Sequence, residues 1–306
     1  MTQEPIGATS GPNHKAKEEA PTPSVGFIGA GKAANVLALA LRQAGYPVSA
    51  VASRSLASAT SLAARVEGCI AYRDPQEVAH SCGVVFITTP DAAISTIAST
   101  LSWHPGQWVL HCSGADSTES LSTVAKHGAT AGAFHPLQTL ALSTPDPAVL
   151  RGITFALEAE EPLLDKLKTM AEALGGRWIV LRAEDKALYH ASAVMVCNYL
   201  ITLTAAAADL WSRFGASPQE ATSALMPLMK STLTNLERLG LPDSLTGPIA
   251  RGDSLTVRRH LEAIRAHAPD LEKAYRELGR LTLPLGRAKG KLDDATIEEL
   301  GRALAE

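Results

Sequence analysis

One short run restricts this chain more than any other feature: Gly29-Ala30-Gly31-Lys32-Ala33-Ala34. Ahead of it, Ser24-Val-Gly-Phe-Ile-Gly29 is an apolar run ending in glycine, as a buried parallel strand does. Behind it, residues 32–44 are rich in Ala and Leu and stop at Gly45, a helix with a glycine stop. Strand, glycine turn and helix in that order open a βαβ unit and form the GxGxxG/A fingerprint of a dinucleotide site. Gly29 permits the tight turn, Gly31 lets a pyrophosphate reach the backbone, and Ala34 lets the helix pack close to the strand. The helix start offers free N–H groups and partial positive charge to phosphate. A glycine-containing turn in some other α/β protein is the competing reading.

The pattern continues in strict alternation. Residues 47–52, 69–72, 83–89 and 107–112 read as strands, and residues 56–66, 75–80 and a segment from Asp91 read as helices. That alternation means a parallel, doubly wound sheet. Apolar runs at 129–134, 153–158 and 178–181 extend the same sheet. From about Ala183 onward no convincing strand remains; Ala/Leu-rich helices are punctuated by Gly215, Gly240, Pro242, Gly247, Pro269 and Pro284. The expected fold class is therefore α/β, a doubly wound Rossmann-type, mostly parallel sheet over residues 24–182, followed by an all-helical domain over 183–306. Residues 1–23, rich in Pro, Gly, Ser, Thr, Lys and Glu without an apolar core, read as a disordered tail.

The end of the second strand selects the cofactor. NAD sites place an Asp or Glu about 20 residues past the glycines, on the ribose hydroxyls. Here the segment is Ser53-Arg54-Ser55, with no acid. Arginine stacks on adenine and pairs with a 2′-phosphate, and the serines donate hydrogen bonds to it, so NADP(H) is expected; an ordinary surface arginine is the alternative. Two further loops follow strands, where ligands bind in open α/β sheets: Thr88-Thr89-Pro90-Asp91 and His111-Cys112-Ser113-Gly114. Thr89, Pro90 and Ser113 are expected to line the nicotinamide side, whereas an Asp like Asp91, just before a helix, is more often an N-cap than a ligand.

Candidates for the chemistry come later in the chain. His135 sits where a strand ends, facing a cleft or else bonded to its loop. The first long helix of the second half carries Lys186, Tyr189, His190 and Asn198 among Ala, Ser, Val, Met and Cys. Lys186 and His190 are four apart and share a face, with Asn198 turned roughly 80° away at 3.6 residues per turn. Polar groups on so apolar a helix need partners or a wet cleft, and reduction of C=O or C=N needs a proton as hydride arrives, which Lys186 or His190 can supply, with Asn198 or Ser113 holding the reacting heteroatom. A solvated helix start for Lys186 and a satisfied core histidine for His190 are the alternatives. Arg251 and Asp253 stand at a helix start in Thr246-Gly-Pro-Ile-Ala-Arg251-Gly-Asp253, suited either to a substrate carboxylate or to a structural pair with Asp253 capping the helix.

Composition closes off other classes. With 46% hydrophobic and 19% charged residues and a net charge of -3, the chain lacks the concentrated basic face of a nucleic-acid or membrane-surface binder. No stretch reads as a membrane-spanning helix. Cys69, Cys82, Cys112 and Cys197 form no CxxC and no zinc-ligand spacing, so they read as reduced, mostly buried thiols of a cytoplasmic protein without a metal site.

Four stretches carry a resemblance: Gly26-Phe-Ile-Gly-Ala-Gly31, Phe134-His-Pro-Leu-Gln138, Leu188-Tyr-His-Ala-Ser-Ala193 with Asn198-Tyr199, and Gly247-Pro-Ile-Ala-Arg-Gly-Asp253. The chain resembles, from about Ser24 to its end, the two-domain Rossmann-like family whose C-terminal part is domain of unknown function 2520. That family is similar in layout to pyrroline-5-carboxylate reductase, ketopantoate reductase and the β-hydroxyacid dehydrogenases. The resemblance implies NADP binding and a helical domain that makes a homodimer. The hydroxyacid dehydrogenases carry Lys-x-x-x-Asn, and here His190 stands at the asparagine position after Lys186. Ser113-Gly114 resembles their substrate loop, and the Arg251/Asp253 loop resembles, more loosely, that of ketopantoate reductase. The function expected is reduction of a small oxo acid or cyclic imine acid with NADPH. Oxidation of a β-hydroxy acid is one alternative, and a sensor or scaffold that binds NADP(H) without turnover is another.

Overall fold

The computed structural model describes residues 23–141, 144–290 and 292–305. The expected disordered tail lies, apart from Pro23, outside the described residues. Eight strands form one sheet: β1 (Val25–Ile28), β2 (Val48–Ala52), β3 (Ile70–Tyr72), β4 (Val84–Ile87), β5 (Trp108–His111), β6 (Thr130–Pro136), β7 (Thr154–Ala159) and β8 (Arg177–Val180). Their spatial order is β3-β2-β1-β4-β5-β6-β7-β8. The first six run parallel, and β7 turns back antiparallel to β6, with β8 parallel to β7. The reversal follows from the connection. A parallel return needs a crossover, usually a helix, whereas the described part of the β6–β7 link holds only a 3-10 turn, Pro147–Leu150, that opens on the second of two closely spaced prolines, Pro145 and Pro147.

Helices α1 (Lys32–Gln43), α2 (Leu56–Ala63), α3 (Pro75–Ser81) and α4 (Ile94–Thr100) make the early crossovers. The segment expected to be a helix from Asp91 opens with a 3-10 turn before α4. Between β5 and β6 the crossover is a 3-10 segment, Thr118–His127, and between β7 and β8 it is α5 (Leu163–Ala173); neither stood out in the sequence. One sheet face carries Phe27, Phe86, Phe134 and Phe155, each ring against the next at 4.7–6.0 Å, with Leu163 and Leu167 of α5 in the same core. The other holds Ile28, Val85, Ile87 and Val109. Burying these runs on both faces is what keeps the strands so uniformly apolar.

The rest is helical: α6 (Lys186–Val196), α7 (Asn198–Trp211), α8 (Pro218–Leu239), α9 (Pro248–Arg251), α10 (Ser254–His267), α11 (Glu272–Ala288) and α12 (Asp294–Ala305). Two compact units divide between Ala193 and Val194, inside α6, rather than at Arg182. The shift has a physical reason: the first two turns of α6 send Lys186, Tyr189 and His190 back onto the sheet. The second unit has its own core around Val257, Leu261, Leu300 and Leu304. Helix α8 starts with a full capping box, Ser217 with Glu220, and Pro218 in the first turn. Ala183–Phe214 is, by length and composition only, long and apolar enough to cross a membrane, contrary to the sequence expectation; Lys186 near its start is tied to the sheet.

Candidate active site

The glycine turn is built from the strands upward. Gly29 has φ +112°, and a Cβ there would lie 2.7 Å from the backbone C and O of Thr88, so only glycine fits. Thr88 secures the turn from β4, its hydroxyl donating to the Gly29 carbonyl at 3.0 Å. Asn35 donates to the carbonyls of Ala30 and Gly31, and α1 begins at Gly31 without a side-chain cap. The first amides of α1 are thus left without a side-chain acceptor, the arrangement that receives an anion. Ala34 is fully buried, which seats α1 against the sheet. Lys32 turns away, donating to the Ala141 carbonyl, so its part in the turn is played by its backbone.

A cavity of about 560 Å³ opens over this turn. Gly29, Ala30, Gly31, Ser53, Arg54, Ser55, Thr89 and Pro90 all line it, and no carboxylate does. Arg73, just past β3, lines it too and was not singled out from sequence; its position one strand beyond Arg54, at the same sheet edge, was the available signal. Ser55 also caps α2, accepting from Ser58 N at 3.3 Å. The Thr89 hydroxyl is buried with no hydrogen-bond partner.

Farther along the same edge, register assembles a polar cluster. His111 of β5 pairs with Ala133 of β6, which pairs with Glu158 of β7. These three, and His135 two residues on from Ala133, share one face because side chains alternate along a strand. Ala133 and Ala156 on that face are small and leave room above the sheet, where the start of α6 settles. Lys186 is only 1% exposed, its Nζ 3.4 Å from Glu158 Oε2, so the solvated helix start is excluded. Glu158 Oε1 accepts from both the backbone N and the hydroxyl of Thr118. Burial pulls the Lys186 ammonium below its ordinary value, opposed by the Glu158 carboxylate. Glu158 was unforeseen: it read as the end of an apolar strand.

His135 Nδ1 and the Tyr189 hydroxyl are 2.9 Å apart, and the His135 and His190 rings lie edge to face at 6.2 Å. Between them is Gly114. A Cβ there would sit 2.7 Å from His190 Nδ1 and 2.8 Å from His135 Nε2. His190 Nδ1 is buried and has no partner, so the satisfied core histidine is excluded as well. Burial, with the Lys186 charge nearby, pushes both His135 and His111 down to about 4. Burial raises Tyr189 to about 12 and the Cys112 thiol to about 12.

Other candidates are placed differently. The Ser113 hydroxyl donates to Asp91 Oδ2 at 2.8 Å and accepts from the amides of Ala115 and Asp116, which leaves no free donor for a ligand. The Ser113 hydroxyl therefore fixes its loop, and Asp91 braces that loop rather than capping a helix. Asp253 caps α10 through Thr256 N and its hydroxyl, the structural alternative foreseen for it. Arg251, exposed, lines a separate cavity of about 400 Å³ with Thr246 and Lys289. Asn198 starts α7 beyond an interruption at Cys197, so the 3.6-residue projection from His190 does not carry across; Asn198, Arg251 and Asp253 all belong to the second unit. The cysteines are free: Cys82 is buried, Cys69 and Cys112 are partly buried and Cys197 is exposed. Among the described residues no group of three metal-ligating side chains occurs.

A glycine turn at the head of a parallel sheet, followed by a helical unit, defines the class: a two-domain Rossmann-like protein. Residues 9–136 match the model of a Rossmann-like domain, and residues 153–282 match that of domain of unknown function 2520. The chain thus carries a Rossmann-like domain followed by domain of unknown function 2520. It is similar to a Bacteroides fragilis protein provisionally described as an NADP oxidoreductase (24% identity, 88% of this chain and 98% of that one, TM-score 0.68). A Thermotoga maritima protein is similar at 27% identity over 87% of this chain and 99% of that one, with a TM-score of 0.67. An imine reductase from a Pseudomonas species shares the fold at 21% identity over 92% and 99%, TM-score 0.60, as does a pyrroline-5-carboxylate reductase from Coxiella burnetii at 15% over 93% and 97%, TM-score 0.54. No curated protein matches the chain closely enough to count as a relative.

Proposed function

We propose that this protein is an NADP(H)-dependent oxidoreductase that reduces a small oxo acid or cyclic imine acid. One observation carries the cofactor reading: the cavity over the open glycine turn holds Arg54 and Arg73 and no carboxylate. An acid is what a site for the free ribose hydroxyls of NAD would present. Two guanidinium groups instead suit a 2′-phosphate, which they engage by paired hydrogen bonds. The description of the Bacteroides fragilis protein as an NADP oxidoreductase agrees with this reading.

When bound, the cofactor supplies hydride; everything else falls to the chain. The amides of α1 hold the pyrophosphate. Thr89 and Pro90, at the end of β4, sit between that turn and the polar cluster. From β1 to β6 is three strand spacings, roughly 14 Å at about 4.8 Å each, so the cluster lies toward the nicotinamide end of an extended dinucleotide. There Gly114, His135 and His190 contact substrate. Lys186 acts through its charge, because it is buried against Glu158. The β-hydroxyacid direction uses the same groups in reverse.

A second copy completes the assembly in this reading. Helices α7 and α8 leave large apolar side chains exposed, Ile201 at 68% and Leu228 at 65% among them. Exposed apolar side chains of this kind are what a homodimer through the helical domain buries. A cytoplasmic location accords with free thiols. The test is a panel of oxo acids, cyclic imines and hydroxy acids, followed by NADPH absorbance. Turnover of an oxo acid or imine supports the reading; NADPH binding without turnover across the panel would favour a sensor.

A further inference from the structure

Two cavities meet at the glycine turn. The larger carries Arg54 and Arg73; a smaller one, of about 250 Å³, shares Ala30 and Gly31 with it. Asn35 and Arg65 line the smaller cavity and not the larger, so neither belongs to the wall that holds Arg54.

Asn35 directs both of its side-chain amide hydrogens at backbone. Its Nδ2 donates to the Ala30 carbonyl at 3.2 Å and to the Gly31 carbonyl at 2.9 Å. A side-chain amide has two hydrogens to give, so no donor is left for a ligand. The orientation of that amide is fixed by chemistry. Arg65, two residues past the end of α2, donates through Nη1 to Asn35 Oδ1 at 3.1 Å. A guanidinium only donates and a carbonyl only accepts, so the amide faces one way alone, oxygen to Arg65 and nitrogen to the turn.

The effect on the turn follows from the peptide plane. In a trans peptide the C=O and the N–H point in opposite directions. Drawing the Ala30 and Gly31 carbonyls toward Asn35 sends the N–H groups of Gly31 and Lys32 the other way. Neither N–H has an acceptor among the described residues, and Gly31, as N-cap, has no side chain to supply one. The Gly31 carbonyl is also held by the Asn35 backbone N at 3.1 Å, whereas the Ala30 carbonyl receives no other hydrogen bond among the described residues. The Ala30–Gly31 peptide is therefore the one whose direction depends on the Asn35 side chain.

Resting on the NADP(H) reading above, we propose that Asn35 is a positioning residue for the bound pyrophosphate: its amide, oriented by Arg65, locks the Ala30–Gly31 peptide so that the Gly31 N–H is aimed at a phosphate oxygen before the ligand arrives. The glycines make room for phosphate; Asn35 aims the donor. Aiming it in advance removes the ordering cost that binding would otherwise meet.

The test uses the full chain and three ligands: NADPH, inorganic pyrophosphate, and adenosine 2′-monophosphate, which carries the 2′-phosphate without a pyrophosphate. Alanine is a better helix former than asparagine, so Asn35→Ala should fold; Arg65→Ala, altered at the surface, carries the same test should Asn35→Ala lose stability. Asn35→Ala should weaken NADPH and pyrophosphate about tenfold and Arg65→Ala about threefold, with adenosine 2′-monophosphate affinity unchanged in both. The double variant should bind NADPH no more weakly than Asn35→Ala, because Arg65 acts through that amide. With nitrogen-15 glycine labelling, the Gly31 signal, assigned by its loss in Gly31→Ala, should shift with pyrophosphate in the wild type and lose most of that response in Asn35→Ala. Wild-type NADPH affinity in Asn35→Ala, an equal loss for adenosine 2′-monophosphate, or additive losses in the double variant overturns the proposal. A chain that binds no NADPH, yet whose Gly31 signal answers pyrophosphate only while Asn35 is present, sinks the cofactor reading and upholds the positioning role.

Discussion

Replacing Gly31 by alanine separates the folding role of the turn from its binding role. Gly31 has φ −77° and ψ −171°, extended backbone that alanine adopts freely. An added Cβ meets only the Thr88 carbonyl oxygen, at 3.9 Å. Stability should therefore hold, or rise by about 0.4–1 kcal/mol through the lower entropy of the unfolded chain. Binding should fail instead. The methyl group stands where a pyrophosphate must approach, and each charge-assisted hydrogen bond to the α1 amides that it lengthens is worth about 1.5–3 kcal/mol. A total loss near 3 kcal/mol weakens NADPH about 10²-fold. Gly29→Ala provides the contrast: at φ +112°, with a Cβ 2.7 Å from the Thr88 backbone, it should lower stability by about 2 kcal/mol or more. Thermal melts paired with NADPH fluorescence titrations read both quantities. Should Gly31→Ala bind NADPH as the wild type does, the phosphate is not held at this turn.

Three further outcomes follow from the same geometry. Lys186→Met strands the Glu158 carboxylate, whose side chain is 12% exposed, and should cost about 3–5 kcal/mol in urea denaturation, most of it recovered by adding Glu158→Gln; no recovery in the double variant would argue against the pair. His111 and His135 titrate near 4 when folded against an ordinary value of 6.5, so the unfolded chain binds extra protons between those pH values. Stability from this source is complete above pH 6.5 and is lost as pH falls toward 4, and melting temperatures across that window should drop, less steeply in His135→Gln. Ile201→Glu or Leu228→Glu should yield a monomer by light scattering if a second copy covers α7 and α8; a wild type that is already monomeric contradicts the dimer.

What was legible in the sequence was whatever depends on local pattern. The glycine turn, the strand–helix alternation and the Ser53-Arg54-Ser55 segment all declare themselves within a few residues, and all reappear around one cavity. Partnerships set by register were hidden. Glu158 looks like the end of an apolar strand until β7 turns antiparallel and brings it beside Ala133, within reach of Lys186. Arg73 and Arg54 are separated by a helix in sequence and by one strand spacing in space. Ser113 misled for the opposite reason. A serine in a ligand-side loop looks available, but the amides of Ala115 and Asp116 and the Asp91 carboxylate occupy its hydroxyl, and no spacing rule reveals that. Asn198 shows the limit of helical projection, since an angle computed along an unbroken helix loses meaning where α6 ends at Val196.

The account stands or falls with the acid-free cavity beside Arg54 and Arg73. Equilibrium titration of the wild type and Arg54→Ala with NADPH and NADH tests it most directly. Tighter binding of NADPH than NADH by tenfold or more, a preference largely abolished in Arg54→Ala with NADH affinity nearly unchanged, is the predicted result. Equal affinities in the wild type, equal losses in the variant, or no measurable affinity for either dinucleotide would contradict it.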